Sequence, residues 1–545
     1  MAVTGKAAPR AAQKGFNATS LAVVAALICA APILAVAWIA LTGDTGDYLA
    51  HLAQTRLPTY LTHSAYVAGV AALGTGLLGT SLGWLIARTQ FPGREFLGWV
   101  LILPLAVPAY VAAYAWLDLS TAGGPLYTAT NGLFPTIRGS WGAGLMFSLV
   151  LYPYVYLLAR DAFASQSADA YDAARTLGSA PWHAFMHTAL PMARPAIAAG
   201  LALVMMESLA DYGTVSHLGA PTLSIGLVRA WSGAGSLVDA ARLSLVLVVV
   251  ALFIFGLERA QRRRARSVTG SGKTRPPQRF VLGGWKGIAA LLFCLLPLAL
   301  GMFIPLGRLA YLALSEPSTT DLLDASLNSL TLAITAAIIA AALGLSTAYA
   351  LRSKGIIATM SARAAGLGYA VPGAVAAVGV IAILSGTQQI LDPIWRDLTG
   401  AVFPILLTGG AVALIFAYLS RFAAAAIGPA ESALSRVTRA LDGAARTLGA
   451  TPLQTARRVH WPLIVGGLTS AGLLVFVEVL KELPATMILR PFNYDTLAVI
   501  AHSYAADERL GEAAMPSILI TLVALLPMVF VARYLSSRSA GGQDR

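Results

Sequence analysis

Twelve apolar runs, each long enough to cross a bilayer, dictate what this chain can become. They fall near residues 20–42, 63–88, 97–117, 142–160, 195–216 and 240–257, then near 286–314, 326–352, 365–385, 404–427, 463–483 and 515–535. A helix needs about 20 apolar residues to span the hydrocarbon, and backbone groups in lipid must satisfy one another. None of the runs shows the short alternation of a membrane barrel, so helices are the available solution. Composition agrees: 57% of the 545 residues are hydrophobic and 12% charged, against about 25% charged in soluble domains. The expected fold class is all-α: a polytopic membrane protein of about twelve transmembrane helices.

The runs form two sets of six because the chain repeats itself. Ala173-Ala174-Arg175-Thr176-Leu177-Gly178 returns as Ala444-Ala445-Arg446-Thr447-Leu448-Gly449, 271 residues later (449 − 178). The same offset pairs Pro181 with Pro452, Pro191 with Pro462, Glu207 with Glu478 and Asp211 with Glu482. The expected organisation is a first six-helix repeat over 1–257 with a polar loop at about 161–195, a basic linker over 258–285, and a second six-helix repeat over 286–545 with its loop at about 428–463. The run from Leu21 to Leu41 is long enough to span, which makes it a retained first helix rather than a cleaved signal.

Charge sets the orientation. The net charge of +13 reads as Lys and Arg kept on cytoplasmic loops, not as a nucleic-acid surface. With alternating helices, Lys6, Arg10, Lys14, Arg88, Arg94, Arg160, Arg175, Arg194 and the basic segment Arg259 to Arg279 all fall on one side. Asp44, Asp47, Glu316, Asp321, Asp324, Asp392, Asp397, Asp507, Glu508 and Glu512 fall on the other. Both termini and both hexamer loops are therefore expected in the cytoplasm.

Several motifs carry less than they suggest. Gly270-Ser271-Gly272-Lys273-Thr274 imitates the end of a phosphate-binding loop, but Ser267 stands where its first glycine belongs and Pro276-Pro277 follows in place of a helix. Gly79-Thr80-Ser81-Leu82-Gly83 matches a serine-hydrolase pattern, yet it lies within an apolar helix. Its copy reads Gly344, Ser346 and Ala348, so what recurs is small size suited to helix packing. Cys29 and Cys294 sit in apolar runs and make neither a disulfide framework nor a metal cluster. His183 and His187 correspond to Gln454 and Arg458 in the second copy, which reads as a surface face, and the histidines give no metal-ligand spacing.

Prolines and acids remain. Ala106-Val107-Pro108-Ala109 and Ala370-Val371-Pro372-Gly373 put a proline in both third helices, which are expected to kink or break at Pro108 and Pro372. Glu207 and Asp211 are four residues apart, as are Glu478 and Glu482, which places each pair on one helix face. Ionisable groups in a membrane helix normally face protein or a water-filled cavity, and hard oxygen donors suit a hard cation. The four acids are expected to line or gate a translocation path; neutralisation of one pair by Lys481, or bonding of the acids to neighbouring helices, is the alternative. Each hexamer loop reads as a helix stopped at Gly178 or Gly449, with a second helix beginning near Pro181 or Pro452.

Asp172-Ala173-Ala174, followed by Gly178 and Leu190-Pro191, resembles the EAA loop of ABC-importer permeases, the family's coupling element. The second copy departs from that pattern: Gly443 stands where the acid belongs, Asp442 comes one residue earlier, and Trp461 precedes Pro462. The fused layout is similar to ferric-iron permeases and to thiamine permeases. Glu207-Ser208-Leu209-Ala210-Asp211-Tyr212-Gly213-Thr214 with Ala230-Trp231, and Lys481-Glu482-Leu483-Pro484-Ala485-Thr486 with Leu489-Arg490-Pro491-Phe492 and Asp495-Thr496-Leu497-Ala498, resemble the iron branch.

The resemblance implies a permease of the bacterial cytoplasmic (inner) membrane that moves ferric iron from a periplasmic or extracellular iron-binding protein by alternating access. It implies two cytoplasmic ABC ATPase subunits that use ATP and Mg, with no catalytic residue, cofactor or nucleic-acid partner in this chain. Asp172, Ala173, Ala174, Gly178 and Pro191, with Asp442, Ala444, Ala445, Gly449 and Pro462, would carry the coupling. The same architecture importing thiamine or another small solute, or a proton-coupled secondary transporter, are the alternatives.

Overall fold

The computed structural model describes residues 18–43, 48–166, 168–233, 235–266, 279–316, 321–352, 355–401, 403 and 407–541. The expectations for Lys6, Arg10, Lys14, Asp44, Asp47 and the phosphate-loop imitation at 270–274 lie outside the described residues. Among those described, eleven helices are long and apolar enough to span a membrane, and a bent pair, Arg94–Ala106 with Ala109–Ala129, brings the number to twelve when counted as one span. Ala18–Thr42, Leu57–Arg88, the bent pair, Gly139–Ser165, Pro181–Ala210 and Leu237–Glu258 come first. Trp285–Ser315, Leu323–Arg352, Gly373–Thr399, Ala411–Leu434, Leu453–Leu480 and Leu510–Arg533 follow. The chain is an all-α multi-pass membrane protein; a two-residue parallel pairing of Thr89–Gln90 with Phe280–Val281 is the strand structure among the described residues.

Departures from the expected runs have local causes. The sixth helix continues through Arg266, because Arg259 to Arg266 contains Arg, Ala and Gln, good helix formers, and no glycine or proline. The start of the expected linker is therefore helical. The run placed at 404–427 begins as an α-helix only at Ala411, after a 3-10 turn over Leu407–Gly409 and Gly410. Both third helices break: a 3-10 turn over Leu103–Ala106 leads to Pro108 in extended conformation, and the same turn over Leu367–Ala370 leads to Pro372. In the first repeat the axis turns by 86°.

The small-residue pattern is a packing device. A side chain on Gly79 would collide with Val155 and one on Gly83 with Ala159, while Gly344 is pressed against Ala426. Ser81 is exposed on the outer face. Gly79 and Gly344 correspond, and so do Val155 and Ala426 at the 271 offset (426 − 155), so the two repeats pack their second and fourth helices alike.

The first helix of each repeat lies against the other repeat. Ala18–Thr42 packs on Leu323–Arg352, Ile356–Gly366 and Gly373–Thr399, with the backbone at Pro32 against Gly379 and Cys29 Sγ donating to the Leu419 carbonyl at 3.8 Å. Reciprocally, Trp285–Ser315 packs on Ala109–Ser120: Trp116 Nε1 donates to the Leu300 carbonyl at 2.8 Å, and Arg308 pairs with Asp118 at 2.5 Å.

Candidate functional site

The fifth helix of each repeat ends in the same way. Leu190–Ala210 stops because the Asp211 backbone turns extended and its carboxylate accepts the amide protons of Thr214 at 2.8 Å and Val215 at 3.4 Å, starting the short helix Gly213–His217. Trp461–Leu480 stops one residue earlier relative to its acid, at Lys481, and the Glu482 carboxylate accepts from the amides of Ala485 at 3.1 Å and Thr486 at 3.2 Å, starting Pro484–Leu489. Asp211 and Glu482 are thus caps beyond the helix end. This corrects the expectation that each shares a helix face with Glu207 or Glu478.

A further helix follows each short one: Leu223–Ser232 and Leu497–Ala506. Ser64 Oγ accepts the Leu223 amide and Ser329 Oγ the Leu497 amide, both at 2.9 Å, from matching places on the two second helices. Neither helix is foreseen by apolar run length, since each has ten residues. The usable signal was the repeated Thr222-Leu223 and Thr496-Leu497, a capping residue before an apolar one.

These helix ends, the first proline break and Ala411–Leu434 enclose a cavity of about 70 Å³ between the repeats, room for a few waters. Glu207, Asp211, Glu478 and Glu482 all line it, together with Pro108, Arg421 and Lys481. Pro372 is not among the lining residues, but Gly373 beside it leaves the space that the Glu482 carboxylate fills.

Four carboxylates meet two cations, and both cations are engaged. Arg421 Nη2 lies 3.0 Å from Glu207 Oε2, and its Nη1 lies 3.5 Å from Glu482 Oε1. Lys481 Nζ is 3.0 Å from Glu478 Oε1 and donates to the Leu105 carbonyl at 3.5 Å. That carbonyl lies three residues before Pro108, which has no N–H to return. Tyr154 donates to Glu478 at 3.4 Å from the opposite repeat. Neutralisation by Lys481 therefore occurs, alongside a cation that sequence reasoning missed. The signal for Arg421 was a lone charge inside an apolar run. Among the described residues no three His, Cys, Asp or Glu side chains are grouped to hold a metal ion.

The two hexamer loops repeat each other turn by turn. Ala168–Thr176 ends at Gly178 with φ +90°, and Arg439–Thr447 ends at Gly449 with φ +78°. The closing bonds match: Ser179 donates to the Ala174 carbonyl and Ala450 to the Ala445 carbonyl, each at 3.0 Å. Short helices Pro181–Ala184 and Pro452–Thr455 follow, then a π turn that runs into the fifth helix beside Pro191 or Pro462. Leu177 and Leu448 are each 86% exposed, with Trp182 and Leu453 exposed beside them. Ala173, Ala174 and Ala444 fall within the loop helices, and Ala445 is buried against the body. His183 and His187 stack at 3.9 Å on the exposed face, as a surface pair.

What fastens the loops differs. In the first, Trp84 packs edgewise against Phe163 and Phe185 and lies beside Tyr171, with the Arg88 guanidinium over the Trp84 and Tyr171 rings. In the second, Asp442 pairs with Arg352 at 2.5 Å and with His460 Nε2 at 2.7 Å, and His460 Nδ1 meets the Tyr349 hydroxyl at 2.8 Å. The Asp442 carboxylate thus turns toward the protein body; of Asp172 the helix backbone alone is described.

Paired helical repeats, duplicated surface loops and a charged cavity between them define a membrane permease. The chain belongs to the family described as binding-protein-dependent transport system inner membrane components, whose pattern matches residues 79–268. It is 23% identical over 492 residues to the Fe(3+)-transport system permease protein FbpB 2 of Haemophilus influenzae, covering 89% of this chain and 91% of that one. It is 30% identical over 214 residues to the molybdenum transport system permease protein ModB of Escherichia coli, covering 37% of this chain and 93% of the relative. The sulfate transport system permease protein CysT of Escherichia coli matches at 28% over 217 residues, 37% of this chain and 76% of the relative.

Proposed function

We propose that this permease imports ferric iron, with Glu207, Asp211, Glu478 and Glu482 facing the path between the repeats. The observation that carries this reading is the charge of the cavity: four carboxylates against Arg421 and Lys481, both already paired. A dianionic oxyanion of the kind named for the sulfate and molybdenum relatives would enter an excess of negative charge with no free cation among the described lining residues to meet it, whereas a hard cation finds oxygen donors. The relative named for Fe(3+) also aligns with both repeats, while those two align with about a third of this chain.

In this reading an iron-binding protein delivers the cargo to the outer mouth, and two ATPase subunits dock on the loops around Gly178 and Gly449 and consume ATP and Mg. The exposed Leu177, Trp182, Leu448 and Leu453 are the apolar contacts of that docking. The loops and both termini lie in the cytoplasm. The repeats rock about the cavity to give alternating access.

The test is uptake of radioactive ferric iron into vesicles reconstituted with the cognate binding protein and ATPase. ATP-dependent iron uptake is expected, and Glu207→Gln with Glu478→Gln should lower it at least about tenfold with insertion unchanged, a loss equivalent to roughly 1.4 kcal/mol. Uptake of sulfate or molybdate in place of iron would overturn the cargo, and uptake without the ATPase would overturn the mechanism.

A further inference from the structure

Both cations in the cavity come from the second repeat. The positions that match Arg421 and Lys481 in the first repeat, at the offset of 271 residues, are Val150 and Ala210, and both line the same cavity. The ion pairs are therefore unlike with respect to the boundary between repeats. Lys481–Glu478 and Arg421–Glu482 lie within the second repeat, and Arg421–Glu207 crosses to the first. The other polar crossings in the cavity are longer and involve no second charge from the first repeat: Tyr154 donates to Glu478 at 3.4 Å, and Lys481 Nζ donates to the Leu105 carbonyl at 3.5 Å.

Separation of the repeats consequently breaks one of these ion pairs, Arg421–Glu207. Lys481 and Glu478 move together and stay paired. Arg421 is 8% exposed, and a guanidinium in that setting cannot be left without a partner. It need not be, because Glu482 remains beside it at 3.5 Å, held in place by the amides of Ala485 and Thr486. Glu207 has no such second partner among the described residues: Arg421 is the cation bonded to it, and no residue of its own repeat supplies another in this cavity.

We propose that Arg421 is a two-partner latch that holds the repeats together through Glu207, and that letting go of Glu207 while keeping Glu482 is the step that opens the cavity. Arg421 is a positioning residue here; it sets which conformation is populated. The proposal rests on the alternating-access reading but not on the cargo, so a failure to transport iron leaves its test intact.

The test measures the distance between the repeats directly. Spin labels at Leu133 of the first repeat and Phe492 of the second, 88% and 94% exposed, report the separation in the full chain in lipid nanodiscs, with no cargo present. Wild type is expected to show one dominant distance. Arg421→Gln and Glu207→Gln should each shift the ratio of closed to open populations about tenfold toward a second distance, and the double variant should shift it no further than either alone, because one contact is lost in all three. The conservative Arg421→Lys, which keeps a cation between Glu207 and Glu482, should return toward the wild-type distribution. Distance distributions identical to wild type in the two neutral variants, or additive shifts in the double, would overturn the latch.

Discussion

Asp442 and Tyr171 stand at the same place in the two repeats, 271 residues apart (442 − 171), and hold their loops by unlike chemistry. Removing the carboxylate in Asp442→Ala takes this partner from Arg352 and from His460 Nε2, while His460 Nδ1 keeps Tyr349. A partly buried polar group left unpaired costs about 1–3 kcal/mol. The expected result is amide exchange in Arg439–Thr447 faster by roughly ten- to a hundredfold, with Ala168–Thr176 unaffected. Tyr171→Ala should loosen the first loop and spare the second, through loss of ring packing against Trp84. At the turns, Gly178 and Gly449 have positive φ, and open space surrounds the point where a Cβ would stand, so alanine there costs only backbone strain, about 1–2 kcal/mol. The hexamer and its glycines were legible in the sequence because a left-handed turn selects glycine. The inward direction of Asp442 was not, because Arg352 and His460 reach it from 90 and 18 residues away.

At the scale of elements, the spans were legible from apolar length, and what length missed are the pieces around the cavity. Helices of five to ten residues, such as Gly213–His217 and Leu497–Ala506, bury too few residues to stand out in a window sized for a bilayer. The four-residue spacing of Glu207 and Asp211 suggested a shared face, yet a carboxylate that can cap free amides ends the helix before the second acid. That capping role predicts a difference among the acids. Asp211→Asn keeps a side-chain oxygen for the Thr214 and Val215 amides, and asparagine caps about as well as aspartate. It should keep the order of the cavity wall and lose only the part of uptake that depends on the Asp211 charge, whereas Asp211→Ala should lose in addition about 1 kcal/mol of cap and with it that order. Equal loss of uptake in both variants would instead assign the function of Asp211 to its charge.

The whole molecule is held as an exchange of first helices, which neither apolar runs nor the repeat offset could reveal, since both describe segments and not their neighbours. Ala18–Thr42 is packed mainly among helices of the second repeat, and Trp285–Ser315 against Ala109–Ser120 of the first as well as Leu510–Gly541 of its own. Each repeat therefore completes the other's surface, and the peptide link between them is not what keeps them together. Two chains, 1–270 and 275–545, co-expressed, should co-purify from detergent and transport as the fused chain does. Gly379→Leu is the discriminating variant: its side chain would be driven into the backbone at Pro32, an overpacking that costs about 1–3 kcal/mol. In the fused chain the linkage masks much of that loss by keeping the partner close. In the split pair nothing does, so co-purification should fall roughly tenfold on Gly379→Leu while the fused variant stays assembled. Separation of the split chains without any substitution would show that the covalent link, and not the exchanged helices, carries the assembly.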